Sequence, residues 1–357
     1  MDMLKDTKNT QLINKYMELE FPLTRYFYKP NKKLMIEKLE NFHEIIHKKV
    51  PTELKKYQKS GIIVEFMYNE NSNDEFFIIK DDFIKNEHIN EITTYFTDHV
   101  RMKAIFKGYP SPKVYWDKNR ERLVRDAIKM INKGDRETHN DDKITHSDIS
   151  QLEKVIRAIR EIMNAETKFC NNFRVTVAVA VLRYFKPKTW LDISSGWGDR
   201  LITALLMGIT NYTAADPNLD LHPCYEKIME TFATSEQREN YKIHPTGFLE
   251  APIPDDKIFD LVFAGPPFFN LETYSSYEGD SLKGNKNEDQ WTDNFLIPSL
   301  EKCYKHLKPG GDFVLYVYGN ERTMNKMYDF GAKMWYRGVI YFYDTTPRTL
   351  YVWKKIK

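Results

Sequence analysis

Two short segments hold residues whose types and spacing can do chemistry. The first is LDISSGWGDR, where Asp192, Ser194, Gly196 and Gly198 alternate after a short apolar run. Glycine lets a backbone approach a ligand closely and reach positive φ without a Cβ clash. An acid, Asp216 in AADPN, ends the next apolar run. A carboxylate there can accept hydrogen bonds from both hydroxyls of a ribose. The second segment is DLVFAGPPFFN, in which an apolar run stops at Gly265, Pro266, Pro267 and Phe268. Proline fixes φ and offers a carbonyl with no competing donor. Rigid carbonyls at Gly265 and Pro266 can grip the N–H bonds of an amine and favour a pyramidal nitrogen with a free lone pair. The Phe268 ring supplies a face on which a flipped or unpaired base stacks.

The glycine turn does not read as a phosphate loop. The pattern G-x-G-x-x-G fails, because Gly198 is followed by Asp199, Arg200 and Leu201, and two acids would repel a pyrophosphate. A nucleoside without phosphate, S-adenosylmethionine (SAM), tolerates an acid at this place. Asp192 would face its sulfonium or its amino group.

These residues resemble the class I SAM-dependent methyltransferases. They are most similar to the phage and viral DNA amino-methyltransferases that modify adenine N6 or cytosine N4. GPPFF stands here as a variant of their [DNS]PP[YF] motif. The resemblance covers roughly Phe169 to the C-terminus. It implies SAM as cofactor, held by Asp192, Ser194, Gly196, Gly198 and Asp216. It also implies a pairing of Arg174 with the SAM carboxylate and packing of Phe248 on the adenine ring. Gly265, Pro266, Pro267 and Phe268 become the catalytic set. The departure is Gly265, since the family usually has an acceptor side chain there. Asn270 or Glu272 would then supply the acceptor, or the substrate needs fewer acceptors, or the domain is an inactive copy that depends on a partner.

The elements that must position these residues follow from periodicity. From Thr189 onward short apolar strands alternate with helices, which implies βαβ units in a mostly parallel sheet. GVIYFYD and RTLYVWKK are expected to close it as an antiparallel hairpin. The expected architecture is therefore α/β: a Rossmann-like methyltransferase domain over 149–357, preceded by a smaller α+β region over 1–148 that recognises substrate. Within 1–148, NKKLMIEKLENFHEIIHKKV predicts a helix capped by Asn31 and carrying Met35, Leu39, Phe42 and Ile46 on one face. GIIVEFMYNENSNDEFFIIK predicts a hairpin, and DKNRERLVRDAIKMINKG a helix starting at Asp117. The polar stretch 137–148 reads as a linker. Ser150 and Glu153 form a capping box for the next helix, and a further helix is expected from Phe169 to Phe185. The polar stretch 274–291 reads as a mobile lid or substrate loop.

Composition bounds the rest. The chain has 357 residues, is 41% apolar and carries a net charge of +2. It can build a core, and any nucleic-acid affinity must come from a local patch. Arg101–Arg136 is such a stretch, with Arg120, Arg122 and Arg125 as candidate phosphate contacts beside interleaved aromatics. The three cysteines form no CxxC pair, so no metal site or disulfide framework is expected and a reducing, intracellular location is. Cys224 is read as structural. The polar N-terminus shows no secretory signal, and no apolar run reaches the length of a membrane span. Lys, Asn and Ile usage hints at an AT-rich, viral coding bias. The reading is methyl transfer to a base amine in DNA or RNA. Its rivals are an inactive nucleic-acid-binding subunit and a small-molecule or protein methyltransferase.

Overall fold

The computed structural model describes residues 2–23, 30–43, 45–48, 75–132, 151–269, 271–274, 280–342 and 348–357. They divide into two compact units. One comprises Met1–Lys29, Thr97–Asn171 and Leu271–Tyr274; the other comprises Pro30–Phe96, Asn172–Asn270 and Ser275–Lys357.

The strands, in chain order, begin with β1 (Ile46–Lys48), β2 (Glu75–Ile79), β3 (Ile105–Phe106), β4 (Thr189–Leu191), β5 (Asn211–Ala215) and β6 (Lys242–His244). They continue with β7 (Phe259–Ala264), β8 (Glu272–Thr273), β9 (Leu307–Tyr316), β10 (Trp335–Phe342) and β11 (Arg348–Lys354). Nine of them form one sheet in the second unit, in the order β1-β2-β10-β11-β9-β7-β4-β5-β6. β4 pairs in parallel with β5 on one side and β7 on the other. From β4 the chain builds outward through β5 and β6, then returns to lay β7 and β9 on the opposite flank. That reversal makes the carboxyl ends of β4 and β7 the topological switch point, where open α/β sheets form a ligand crevice. β11 runs antiparallel to both β9 and β10, so the expected C-terminal hairpin is present.

The central strands are near-continuous apolar runs because both faces are covered. Leu191, Val262 and Phe313 are fully buried in a core that also takes in Trp291, Leu300 and Phe330. Trp190 stacks on Phe263 at 5.4 Å, and its indole N–H donates to the Phe263 carbonyl at 2.8 Å. These contacts lock β4 to β7 just below their tips.

The division of the chain differs from a break at 148. β1 and β2 come from the N-terminal region yet extend the large sheet, with β2 parallel to β10. Gly338 makes this possible. It has φ +126°, and a Cβ there would lie 1.9 Å from the Glu75 carbonyl oxygen. Arg337, on β10, ties β2 and β9 to it through Glu75 at 2.7 Å and Asp312 at 3.1 Å.

Local expectations are corrected in places. Asn31 caps its helix by accepting from the Leu34 amide at 3.0 Å, but the helix is Lys32–Glu40. Phe42 leaves it to pack on Phe83, with ring centroids 4.7 Å apart, and Ile46 enters β1. Of the expected hairpin, 61–74 lies outside the described residues, and β2 pairs instead with β1. The linker 137–148 and Ser150 also lie outside them. The basic helix is Pro112–Asn132, starting at a proline whose fixed φ suits the first turn. The helix expected from Phe169 begins at Val175, because Asn172 and Phe173 serve the switch point instead.

In the first unit, helices Asp2–Met17, Pro112–Asn132 and Gln151–Thr167 share a core around Trp116, Leu123 and Ile159. The candidate phosphate-contacting arginines are engaged here. Arg122 pairs with Glu166 at 2.6 Å, Arg125 with Glu121, and Arg120 donates to the Met17 carbonyl at 2.9 Å while lying over Trp116. Exposed pairs of this kind contribute little stability, about 0–1 kcal/mol, but they leave no stripe of unengaged guanidinium groups among these three.

Candidate functional site at the sheet switch point

The turn after β4 is built from an internal ion pair. Asp192 is fully buried, and its Oδ2 accepts from Arg200 Nε at 2.6 Å and from the Tyr212 hydroxyl at 2.9 Å. Its Oδ1 accepts from the Ser194 amide at 3.3 Å. Burial pushes the Asp192 carboxyl up, opposed by Arg200, Tyr212 and the amide. Burial works to lower Arg200, and Asp192, Tyr212 and Asp199 together more than offset it. The pair is neutral overall. The expectation that Asp192 faces a ligand cation is thereby corrected: its carboxylate points inward and is spent on the chain itself.

Arg200 has further duties. Its Nη2 donates to the Ser194 carbonyl and, at 3.2 Å, to the Ser194 hydroxyl. Its guanidinium carbon sits 5.3 Å from the centre of the Phe173 ring. Ser194 Oγ in turn donates to the Gly265 carbonyl at 3.1 Å. The tips of the first and fourth strands of the parallel core are thus joined by a side-chain hydrogen bond. The Gly265 carbonyl thus accepts one bond from within and keeps one lone pair.

The glycines behave as their turn requires. Gly196 has φ +57°, with nothing closer than Arg200 Nη2 at 3.8 Å from its added Cβ. Gly198 has φ +89° and precedes helix Asp199–Leu206; a Cβ there would meet Ile228 Cδ1 at 2.8 Å. Asp199, first in that helix, accepts from Thr93 Oγ1 and from Asn172 Nδ2 at 3.3 Å. Asn172 Nδ2 also donates to Thr93 Oγ1 at 2.7 Å.

Asp216, at the end of β5, takes the Gly196 amide at 3.0 Å and the Tyr225 hydroxyl at 3.1 Å on Oδ2, and the Asn218 amide at 3.0 Å on Oδ1. Burial pushes its carboxyl up to about 6 against these donors. A carboxylate offers about four lone-pair sites, so one acceptor position is left after three bonds. Buried side-chain atoms near the strand ends that have no partner among the described residues include Asn172 Oδ1, Ser195 Oγ in the turn after β4, and Thr246 Oγ1 just beyond β6.

Two other expected cofactor contacts are placed differently. Arg174 donates through Nη1 to the Ile84 carbonyl at 2.9 Å, which fastens helix Val175–Phe185 to the short helix Asp81–Ile84. Phe248 is only 2% exposed, with Lys302 Nζ 5.2 Å from its ring centre. That ammonium also donates to the Phe248, Leu249 and Ala251 carbonyls at 2.7–3.0 Å. Phe248 is core packing and shows no open face for an adenine.

At the tip of β7, Pro266 and Pro267 lead to Phe268. Its ring stands edge-on to Tyr316 at 5.3 Å and stacks on Tyr318 at 4.1 Å and 29°. Tyr318 is 48% exposed. Phe268 is thus one ring of a stacked pair with Tyr318 and not a single bare ring. Asn270 lies outside the described residues. Glu272 belongs to the other compact unit, where its carboxylate accepts from the Asn171 amide at 3.1 Å. Cys224 is 2% exposed, with its thiol pushed up to about 11 by burial, as a structural cysteine requires. Among the described residues no cluster of His, Cys, Asp and Glu could hold a metal, and no helix is long and apolar enough to cross a membrane.

No family model and no curated protein matches the sequence. Solved structures do. The chain is similar to a methyltransferase from Pyrococcus furiosus, at 20% identity over 52% of this chain and 84% of that one, with a TM-score of 0.37. It is similar to an N-methyltransferase from Bradyrhizobium japonicum, at 12% identity over 51% and 94%, with a TM-score of 0.33. It is also similar to a SAM-dependent O-methyltransferase from Thermotoga maritima, at 13% identity over 55% and 70%, with a TM-score of 0.36.

Proposed function

We propose that the chain is a SAM-dependent methyltransferase acting on the exocyclic amine of a nucleic-acid base, adenine N6 before cytosine N4. The observation that carries this reading is the Ser194–Gly265 hydrogen bond at the switch point. It sets a glycine turn suited to a nucleoside against a Pro-Pro-Phe segment suited to a planar acceptor, at the edge where such sheets bind ligands.

The residues fit the cofactor. Asp216 would accept from a ribose hydroxyl. Asn172 Oδ1 and Thr246 Oγ1 are buried polar atoms that lack partners, and burying such groups costs free energy unless a ligand completes them. Bound SAM supplies an electrophilic methyl group on a sulfonium. The chain's own contribution is orientation. Pro266 and Pro267 fix the backbone beside the acceptor, Phe268 and Tyr318 offer aromatic faces, and the Asp192–Arg200 pair holds the turn rigid. No side chain of this set is needed as a base before attack, because the nitrogen sheds its proton afterwards. Catalysis rests on positioning and fixed dipoles.

A second reading, an inactive subunit that binds nucleic acid, is favoured by Gly265, whose side chain is absent and whose carbonyl is already engaged. Purified protein incubated with tritiated SAM and mixed oligonucleotides separates the two. The enzyme reading expects label in nucleic acid. Unlabelled but tightly bound oligonucleotide would favour the subunit.

A further inference from the structure

The space where the resembled motif carries an acceptor side chain is bordered here by a donor. A Cβ on Gly265 would lie 3.7 Å from Arg200 Nη1 and no closer than 3.4 Å to any other heavy atom outside the adjoining residues. A Cβ would fit there in ordinary van der Waals contact, with the Tyr316 ring on one side and a guanidinium edge on the other. Arg200 is 5% exposed. Its Nε is held by Asp192 and its Nη2 by Ser194, so the group cannot swing away. No described residue accepts from Nη1. Guanidinium N–H groups donate and never accept.

We propose that Arg200 Nη1 reads the acceptor substrate beside Gly265, where no side chain intervenes, so that the substrate presents a lone pair there, on a ring nitrogen adjoining its amine. This inference rests on the base-amine reading and narrows it. The substrate edge is an amidine, –N= beside –NH2, as in adenine or cytosine. One donor from the protein meets the ring nitrogen, where the resembled enzymes use a side-chain acceptor for the amine. Guanine presents such an edge only on the N3 side of its amine; its N1–H side would meet donor with donor. The Asp192 partner matters to this role. It cancels the guanidinium charge, so the donor can stand beside a cationic methyl source without net repulsion.

The test uses single-stranded oligonucleotides with one adenine or one 1-deazaadenine, which replaces the ring nitrogen by C–H and keeps the amine. Affinity is read by fluorescence anisotropy without SAM, on the unmodified protein and on Gly265→Asp, whose carboxylate would occupy Nη1. Thermal unfolding checks that the variant folds. The unmodified protein should bind the deaza oligonucleotide about tenfold more weakly, the worth of one hydrogen bond. Gly265→Asp should bind the two alike. Equal binding by the unmodified protein overturns the proposal while leaving methyl transfer to a base intact. If SAM binds but neither oligonucleotide is bound or methylated, the base-amine reading falls with it.

Discussion

The Ser194 hydroxyl donates to the Gly265 carbonyl across 3.1 Å, and Arg200 grips the same serine from its other side. Two loops that follow different strands thereby behave as one rigid edge. Ser194→Ala removes the link and leaves a carbonyl short of a partner. It should cost about 1 kcal/mol of stability in urea unfolding and lower kcat while SAM affinity holds. Unchanged kcat would show that the link does not position the acceptor.

The buried pair beneath the turn is a larger dependency. Arg200→Ala leaves Asp192 charged or protonated inside the core with only Tyr212 and one amide. Breaking a buried pair by removing one partner costs about 3–5 kcal/mol. Thermal unfolding of Arg200→Ala should show that loss. A change below about 1 kcal/mol would mean that solvent reaches the site and the pair is not buried.

Asp216 gives opposite pH trends for stability and for binding. Burial raises its carboxyl to about 6 in the folded chain, above the ordinary carboxylate value. In the window from about 4 to 6 the native state binds more protons than the unfolded state, so this group's contribution to stability falls as pH rises. The shift corresponds to roughly 3 kcal/mol at most. Ribose hydroxyls donate to an ionised carboxylate, so SAM affinity should rise as pH climbs through about 6. Calorimetry from pH 5 to 7.5 checks this, and a flat affinity profile counts against ribose at Asp216.

The Pro-Pro-Phe segment should matter to turnover and little to the cofactor. Pro267→Ala and Phe268→Ala are expected to abolish label transfer and to leave SAM binding within about twofold. Loss of SAM binding in both would move the cofactor, and with it the whole assignment, to a different part of the edge.

The sequence made the strand tips legible and hid what fastens them. Alternating apolar runs placed β4, β5 and β7 correctly because buried parallel strands are continuous and short. The glycines of the turn could be read because positive φ at Gly196 and Gly198 excludes most other residues. Arg200 was not legible. An arginine in a first helical turn looks like a solvated face, and nothing in its spacing reveals that Asp192 and Ser194 fold back onto it. Tyr225 was missed for the same reason; its hydroxyl reaches Asp216 and the Gly196 carbonyl from a helix whose pattern shows only a core stripe. Arg174 and Phe248 were misplaced because their partners, Ile84 and Lys302, are distant in sequence. That part of the region before 148 extends the large sheet is not legible in the sequence, because only pairing shows that β2 docks on β10, where Gly338 leaves the room.

The central claim is that the turn after β4 and the acid after β5 hold a methyl donor at the switch point. Isothermal calorimetry of SAM with the unmodified protein and with Asp216→Ala tests it most directly. The account predicts saturable one-to-one binding that weakens at least tenfold in the variant. No heat with the unmodified protein, or equal affinity in the two, would contradict it.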